Sequence, residues 1–216
     1  MENCHRLQAV GAGLGEVRAC PLFPATASSS RTRLFGARPD SSAQRTNPGR
    51  CKALAATSVA TVTVSLRAIT EANLQSVLKL RTTPEQEQFV SSVADSIAEA
   101  TVYQHANPWY RTVYADEEPV GFVMLRWDVE PQPPHINGPW FLWKLLIDFR
   151  HQRLGYGEEV IRHVVQLVRA EGATELLTSY VPGEGGPAGF YARLGFVPTG
   201  RVDPDGEILV RLDLRD

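Results

Sequence analysis

From Thr61 to Ala68, branched and polar residues alternate one for one, the period of a half-buried strand. Leu74, Val77, Leu78 and Leu80 then share one helical face, and Phe89, Val90, Val93, Ile97 and Ala98 recur at spacings of three and four. This pattern predicts two consecutive helices, from about Glu71 and from about Pro84, where a proline suits the first turn. Asn107-Pro108 ends the helical region. Tyr110–Ala115 and Val120–Trp127 read as strands joined into a hairpin by Asp116-Glu117-Glu118-Pro119. A proline-rich loop follows, and then Trp140–Ile147 is apolar almost throughout, as in a central strand covered on both faces.

Beyond a glycine-bearing loop at 151–157, Val160, Ile161, Val164, Val165, Leu167 and Val168 form the stripe of an amphipathic helix that Gly172 stops. Glu175–Tyr180 reads as a strand, 182–187 as a loop and Ala188–Leu194 as a short helix. Phe196–Arg201 and Ile208–Asp213 read as two strands joined by Asp203-Pro204-Asp205-Gly206. The predicted order is β, α, α, β, β, β, α, β, α, β, β, with no internal repeat. No run of 18 apolar residues occurs, so no membrane span is predicted.

Charge divides the 216-residue chain. Residues 1–64 carry eight basic and three acidic side chains, a net +5, and the rest carry 14 and 21, a net −7, so the total of −2 averages two unlike populations. The first 60 residues are rich in Arg, Ser, Ala and Gly, poor in acids and without Trp or Tyr. Such a composition is expected to stay disordered, and it matches an organellar transit peptide. Ser28-Ser29-Ser30-Arg31-Thr32-Arg33 resembles the plastid kind more than the mitochondrial kind; a mitochondrial address and a plain extension remain the alternatives. Residues 61–216 are then expected to form one domain. Its negative charge argues against a nucleic-acid partner and suits a cationic substrate, although solubility alone would also explain it. Cys4, Cys20 and Cys51 all lie in the basic segment, so a domain without that segment has no thiol for a disulfide, a zinc site or a nucleophile. His105, His135, His151 and His163 show no ligand spacing with carboxylates, and no metal is expected.

Candidate chemistry gathers where the apolar strand meets the next helix. Gln152 to Gly157 reads Q-x-x-G-x-G. Glycines there let the backbone approach a ligand, and the free N–H groups and dipole of the following helix favour an anion, which together make a pyrophosphate cradle. A dinucleotide-binding motif needs a glycine where Val160 stands, and a P-loop needs G-K-[ST] where Gly157 is followed by Glu158.

The motif, together with Val181–Pro187, Phe190-Tyr191-Ala192-Arg193-Leu194-Gly195-Phe196 and Thr199–Glu207, resembles the GCN5-related N-acetyltransferase superfamily, in its diamine or spermine/spermidine acetyltransferase-like branch. The likeness covers nearly all of residues 64–214. It implies an α/β (α+β) fold with a mixed, mostly antiparallel sheet of about seven strands flanked by helices. It also implies acetyl-CoA as co-substrate, with the backbone of Gln152, Arg153, Leu154, Gly155, Tyr156 and Gly157 on the pyrophosphate. Leu145, Leu146 and Ile147 would lie along the pantetheine and acetyl group, and Arg150 and Arg153 near the CoA phosphates. Tyr191, four residues before Gly195, corresponds to the family's proton donor to the leaving thiolate. The base that takes the amine's proton is unassigned, since Trp143 stands where the better-known spermidine/spermine enzymes have a glutamate. Asp128, Glu130, Asp148 and Glu207 are the candidates. The loop before the short helix has no Asn where superfamily members often carry one. The activity implied is acetyl transfer to the primary amine of a small molecule, a polyamine or a protein, by direct attack in a ternary complex, in a monomer or a homodimer. A non-catalytic acetyl-CoA-binding module is the alternative, and Tyr191 counts against it.

Overall fold

The computed structural model describes residues 62–133 and 137–215, so residues 1–61, with the three cysteines and the transit-peptide reading, and His135 lie outside the described residues. Seven strands form one sheet in the order β1-β2-β3-β4-β5-β7-β6. They are β1 (Val64–Arg67), β2 (Pro108–Ala115), β3 (Glu118–Trp127), β4 (Trp140–Ile147), β5 (Glu175–Tyr180), β6 (Val197–Val202) and β7 (Ile208–Asp213). Every neighbouring pair is antiparallel except β4 and β5. This is the mixed, mostly antiparallel sheet that the resemblance implied.

Helices cover both faces. On one side α1 (Leu74–Val77) and α2 (Val93–Val102) bury Val77, Val93 and Ala100 against Phe122, Met124 and Leu146. On the other, α3 (Tyr156–Ala170) and α4 (Ala188–Arg193) bury Val160, Ile161, Val164, Val168 and Tyr191 against Val123, Leu125, Leu142, Leu176 and Val210. The apolar run of β4 is accounted for, since its residues feed both cores.

The predicted helices of the first region are shorter than their apolar spacing suggested. α1 is a single turn, and Pro84–Gln86 is a 3-10 turn separate from α2. The break comes at Ser92, which caps α2: its Oγ accepts from the Asp95 amide at 3.1 Å and donates to the Asp95 carboxylate at 2.6 Å. A serine with an acid three residues on supplies a start signal that competes with continuation from Pro84.

One irregularity in β4 shapes everything near it. Lys144 pairs with Met124 and Leu142 with Leu125, so Trp143 is an extra residue in the ladder. A bulge bends its strand. β4 pairs with β5 only at Phe141↔Leu177 and Leu142↔Thr178, and past the bulge the two strands part.

Candidate active site

The parting of β4 and β5 opens a cleft of about 1200 Å³ between strands that would otherwise be bonded. Trp143, Lys144, Leu145 and Ile147 line it from β4, and Ser179 and Tyr180 from β5. At the fork, the Thr178 Oγ1 donates to the Leu142 carbonyl at 2.9 Å, closing the last pair.

Alternation decides which β4 amides face the cleft. The Asp148 N–H donates to the Val120 carbonyl at 2.9 Å, which makes 148 and 120 a hydrogen-bonded pair. Stepping back two residues at a time, Leu146 and Lys144 likewise spend their backbone groups on β3, and those of Leu145 and Ile147 point the other way, into the gap. Leu146 is therefore not equivalent to its neighbours. Its side chain is buried in the α2 core and its backbone is turned to β3.

The glycine motif sits at the end of β4. Arg153 and Gly155 have φ of +65° and +86°, left-handed conformations that turn the chain into α3. Gly155 is the N-cap and has no side chain to accept from the first amides, so the N–H groups of α3's opening turn are left for something else. A Cβ at Gly155 would meet nothing within 4 Å, and one at Gly157 would come within 3.3 Å of the Phe190 ring. Open backbone on one side and close packing on the other suit an anionic group such as a pyrophosphate. Gln152, Arg153, Tyr156 and Gly157 line the same cleft, whereas the Leu154 side chain is 61% exposed and is not part of the lining.

Tyr191 stands on α4 at the fork. It is 8% exposed, lines the cleft, and stacks on Tyr180 with centroids 6.1 Å apart. Burial pushes its phenol up to about 12; hydrogen bonding with the Thr178 hydroxyl works against that, and the nearby Glu207 charge adds to it. A phenol is protonated near neutral pH in any case, and burial extends that form to higher pH.

One fork thus brings together a glycine cradle, an unpaired strand edge and a buried tyrosine. The model of the acetyltransferase (GNAT) family matches residues 74–196. The chain belongs to that family. Among its relatives, a spermine/spermidine N(1)-acetyltransferase of Bacillus subtilis (strain 168) is 24% identical over 147 residues, which is 68% of this chain and 95% of that protein. An aminoglycoside acetyltransferase solved in complex with coenzyme A shares the fold with a TM-score of 0.56 and 18% identity, over 70% of this chain and 95% of its own. Ard1 from Thermoplasma volcanium does so with a TM-score of 0.52 and 16% identity, over 72% and 100%.

In this acetyltransferase the four carboxylates named from the sequence have different surroundings. Asp128 and Glu130 are exposed at the end of β3, away from the cleft. Asp148 is sealed, accepting from the Arg81 amide at 3.1 Å, the Arg150 amide at 3.1 Å and the Arg150 Nε at 2.7 Å. Burial alone would push its carboxyl up, but the bonds from the Arg150 side chain and from the Arg150 and Arg81 amides outweigh it and hold it below the ordinary range. Arg150 is thereby committed to Asp148, while Arg153 lines the cleft. Glu207 lines the cleft too.

Several lining residues have no signal in the sequence. Gln86 bonds Gln152, and Lys144 bonds Ser91 at 3.1 Å and pairs with Glu99 at 3.1 Å. Phe89 lies over Gly183 and Gly186, where an added Cβ would stand 3.0 and 3.2 Å from its ring. Arg193 adds a second exposed cation to the lining, after Arg153. Gln86, Lys144 and Phe89 take their places through partners distant in sequence. Among the described residues no group of three or more His, Cys, Asp or Glu could hold a metal ion.

Proposed function

We propose that the chain moves acetyl from acetyl-CoA to a primary amine by direct attack in a ternary complex. The observation that carries this reading is the position of Tyr191, buried in the cleft wall beside Thr178, whose hydroxyl closes the fork where the open edge of β4 begins. When bound, acetyl-CoA supplies an activated acyl carbon, and the chain does the rest. Amides of Arg153 to Gly157 and the α3 dipole hold the pyrophosphate, with Gln152 fixing the loop. The backbone groups of Leu145 and the N–H of Ile147 pair with pantetheine amides as a neighbouring strand would, and Leu146 packs behind them. The Tyr191 hydroxyl gives its proton to the departing sulfur. No cysteine follows Cys51, so direct transfer to the amine is the simplest route.

A small amine or polyamine is favoured as acceptor by the −7 charge of residues 65–216 and by the spermine/spermidine relative. The Arg- and Ser-rich first 60 residues serve in this reading as a plastid import segment, which a fluorescent-protein fusion of residues 1–60 tests by its site of accumulation. For the activity, the full chain is given acetyl-CoA with spermidine, tryptamine, free lysine or a peptide, and CoA release is followed. Release that depends on an amine supports the reading, and its absence with all four overturns it.

A further inference from the structure

We infer that Glu207 is the carboxylate that receives the acceptor's ammonium group and takes its proton. This rests on the amine-acetylation reading above and chooses among the four carboxylates, Asp128, Glu130, Asp148 and Glu207, between which the sequence does not decide. Among the described residues three carboxylates line the cleft: Glu87, Glu158 and Glu207. Glu87 is exposed on the segment before α2. Glu158 is exposed at the mouth and paired with Arg162 at 3.3 Å. Glu207 is half-buried, and its charge bears directly on the Tyr191 hydroxyl.

The turn before β7 is built to present it. The Asp203 carboxylate accepts from the amides of Asp205 and Glu207 at 3.0 and 2.9 Å, and the Asp203 amide returns a bond to the Glu207 carbonyl at 3.0 Å. One acid is thus consumed in fixing the backbone, which leaves the side chain of the other free to reach inward. The Ser179 hydroxyl donates to the Glu207 carboxylate, so one of its oxygens is anchored to the rim of the gap and the second is available. Arg126, held over the rings of Phe141 at 4.9 Å and Trp143 at 4.8 Å, lies in the field of Glu207, Asp203 and Glu99.

Glu207 and Tyr191 reach the cleft from different sides. Ser179, the anchor of Glu207, follows Thr178 in β5, and successive residues of a strand face opposite ways. Thr178 faces Tyr191, so Ser179 and its carboxylate lie toward the α2 face, with Trp143 across the gap. An amine arriving from that face meets Glu207 before it meets the thioester. The ammonium gives one proton to the carboxylate, and the nitrogen lone pair forms the bond to the acyl carbon as the C–S bond breaks. The sulfur takes the Tyr191 proton, the second proton leaving nitrogen restores the phenol, and Glu207 releases its own to water. One amide, one thiol and one free proton result from each ammonium and thioester.

The test compares the full-length wild type with Glu207→Gln and Glu207→Asp, using the four acceptors named above. Glutamine keeps the shape and the Ser179 bond and loses the basicity. Expected for Glu207→Gln is a fall in kcat of about 10²- to 10³-fold at pH 7. The deficit should narrow as pH rises toward the amine's own pKa, where solvent supplies the neutral amine, and acetyl-CoA affinity should stay within twofold. Glu207→Asp should lie between. A raised KM with kcat unchanged at every pH would make Glu207 an anchor only, and an unchanged profile would remove it from the site; either overturns the assignment. A wild type inert toward all four amines overturns the amine reading itself, and this assignment with it.

Discussion

Gln152 and Gln86, 66 residues apart, exchange two side-chain hydrogen bonds, of 2.8 and 3.2 Å, and Gln152 spends its remaining amide proton on the Ile147 carbonyl at 3.0 Å. The glycine loop is thereby fastened both to the end of β4 and to the 3-10 turn that precedes α2. Gln152→Ala and Gln86→Ala should be non-additive, with a coupling of about 0.5–1.5 kcal/mol in urea unfolding of the two single variants and the double. Because Gln152 also positions the loop, its loss should weaken acetyl-CoA binding about tenfold, equivalent to about 1.4 kcal/mol, by calorimetry. Full additivity would mean that the pair holds nothing together.

Tyr191→Phe should lower kcat by about 10²-fold or more while leaving acetyl-CoA binding unchanged, since only the proton is removed. The same residue predicts alkaline behaviour. Its folded pKa lies above the ordinary 10, so its contribution is complete below pH 10 and is lost as pH rises toward 12. Wild-type stability should fall through that window by about 2–3 kcal/mol more than that of Tyr191→Phe, as read from denaturant midpoints.

Gly155 and Gly157 should fail for different reasons. Alanine at 155 meets no atom but sits at a φ of +86°, costing about 1 kcal/mol in backbone conformation. Alanine at 157 keeps an ordinary backbone and presses on the Phe190 ring at 3.3 Å. Thermal shifts with and without acetyl-CoA separate the two. Gly155→Ala should lose stability and ligand protection together, and Gly155→Val should lose ligand protection altogether.

Asp148→Asn should destabilise the protein by about 1.5–3 kcal/mol near neutral pH, because three donors lose their charged acceptor. The Asp148 carboxyl is depressed in the folded state, so its contribution is present above the ordinary carboxylate value and disappears as pH falls through the folded value. The gap between wild type and variant should therefore close on acidification. A gap independent of pH would mean that the charge has no part in it.

Much of this was legible in the chain. β4 shows itself by being apolar on both faces, α3 by its stripe and stop glycine, and the cradle by Q-x-x-G-x-G beside them. What escaped depends on register or on distant partners. Three adjacent residues, Leu145 to Ile147, look alike in sequence, yet a period of two sends the middle one to β3. Asp148 and Glu207 are both acids beside strands, but only tertiary structure seals the first under Arg81 and Arg150 and opens the second onto the cleft. The bulge at Trp143 has no local signature, because an extra residue exists only relative to the strand opposite.

The parting of β4 from β5 gives this sheet a third edge, in its interior. Outer edges invite pairing with other chains, and β6 is guarded in a familiar way, with Pro198 lacking a donor and Gly200 at a φ of +79° disrupting its ladder. The inner edge begins at the Trp143 bulge and the charged Lys144, but its open stretch from Leu145 to Ile147 is apolar. It lies inside the sheet, with β5 on its far side and helices on both faces, so a second polypeptide strand cannot add to it from outside as it could to an outer edge. An unpaired edge is thus kept within the sheet, away from the outer borders through which proteins aggregate.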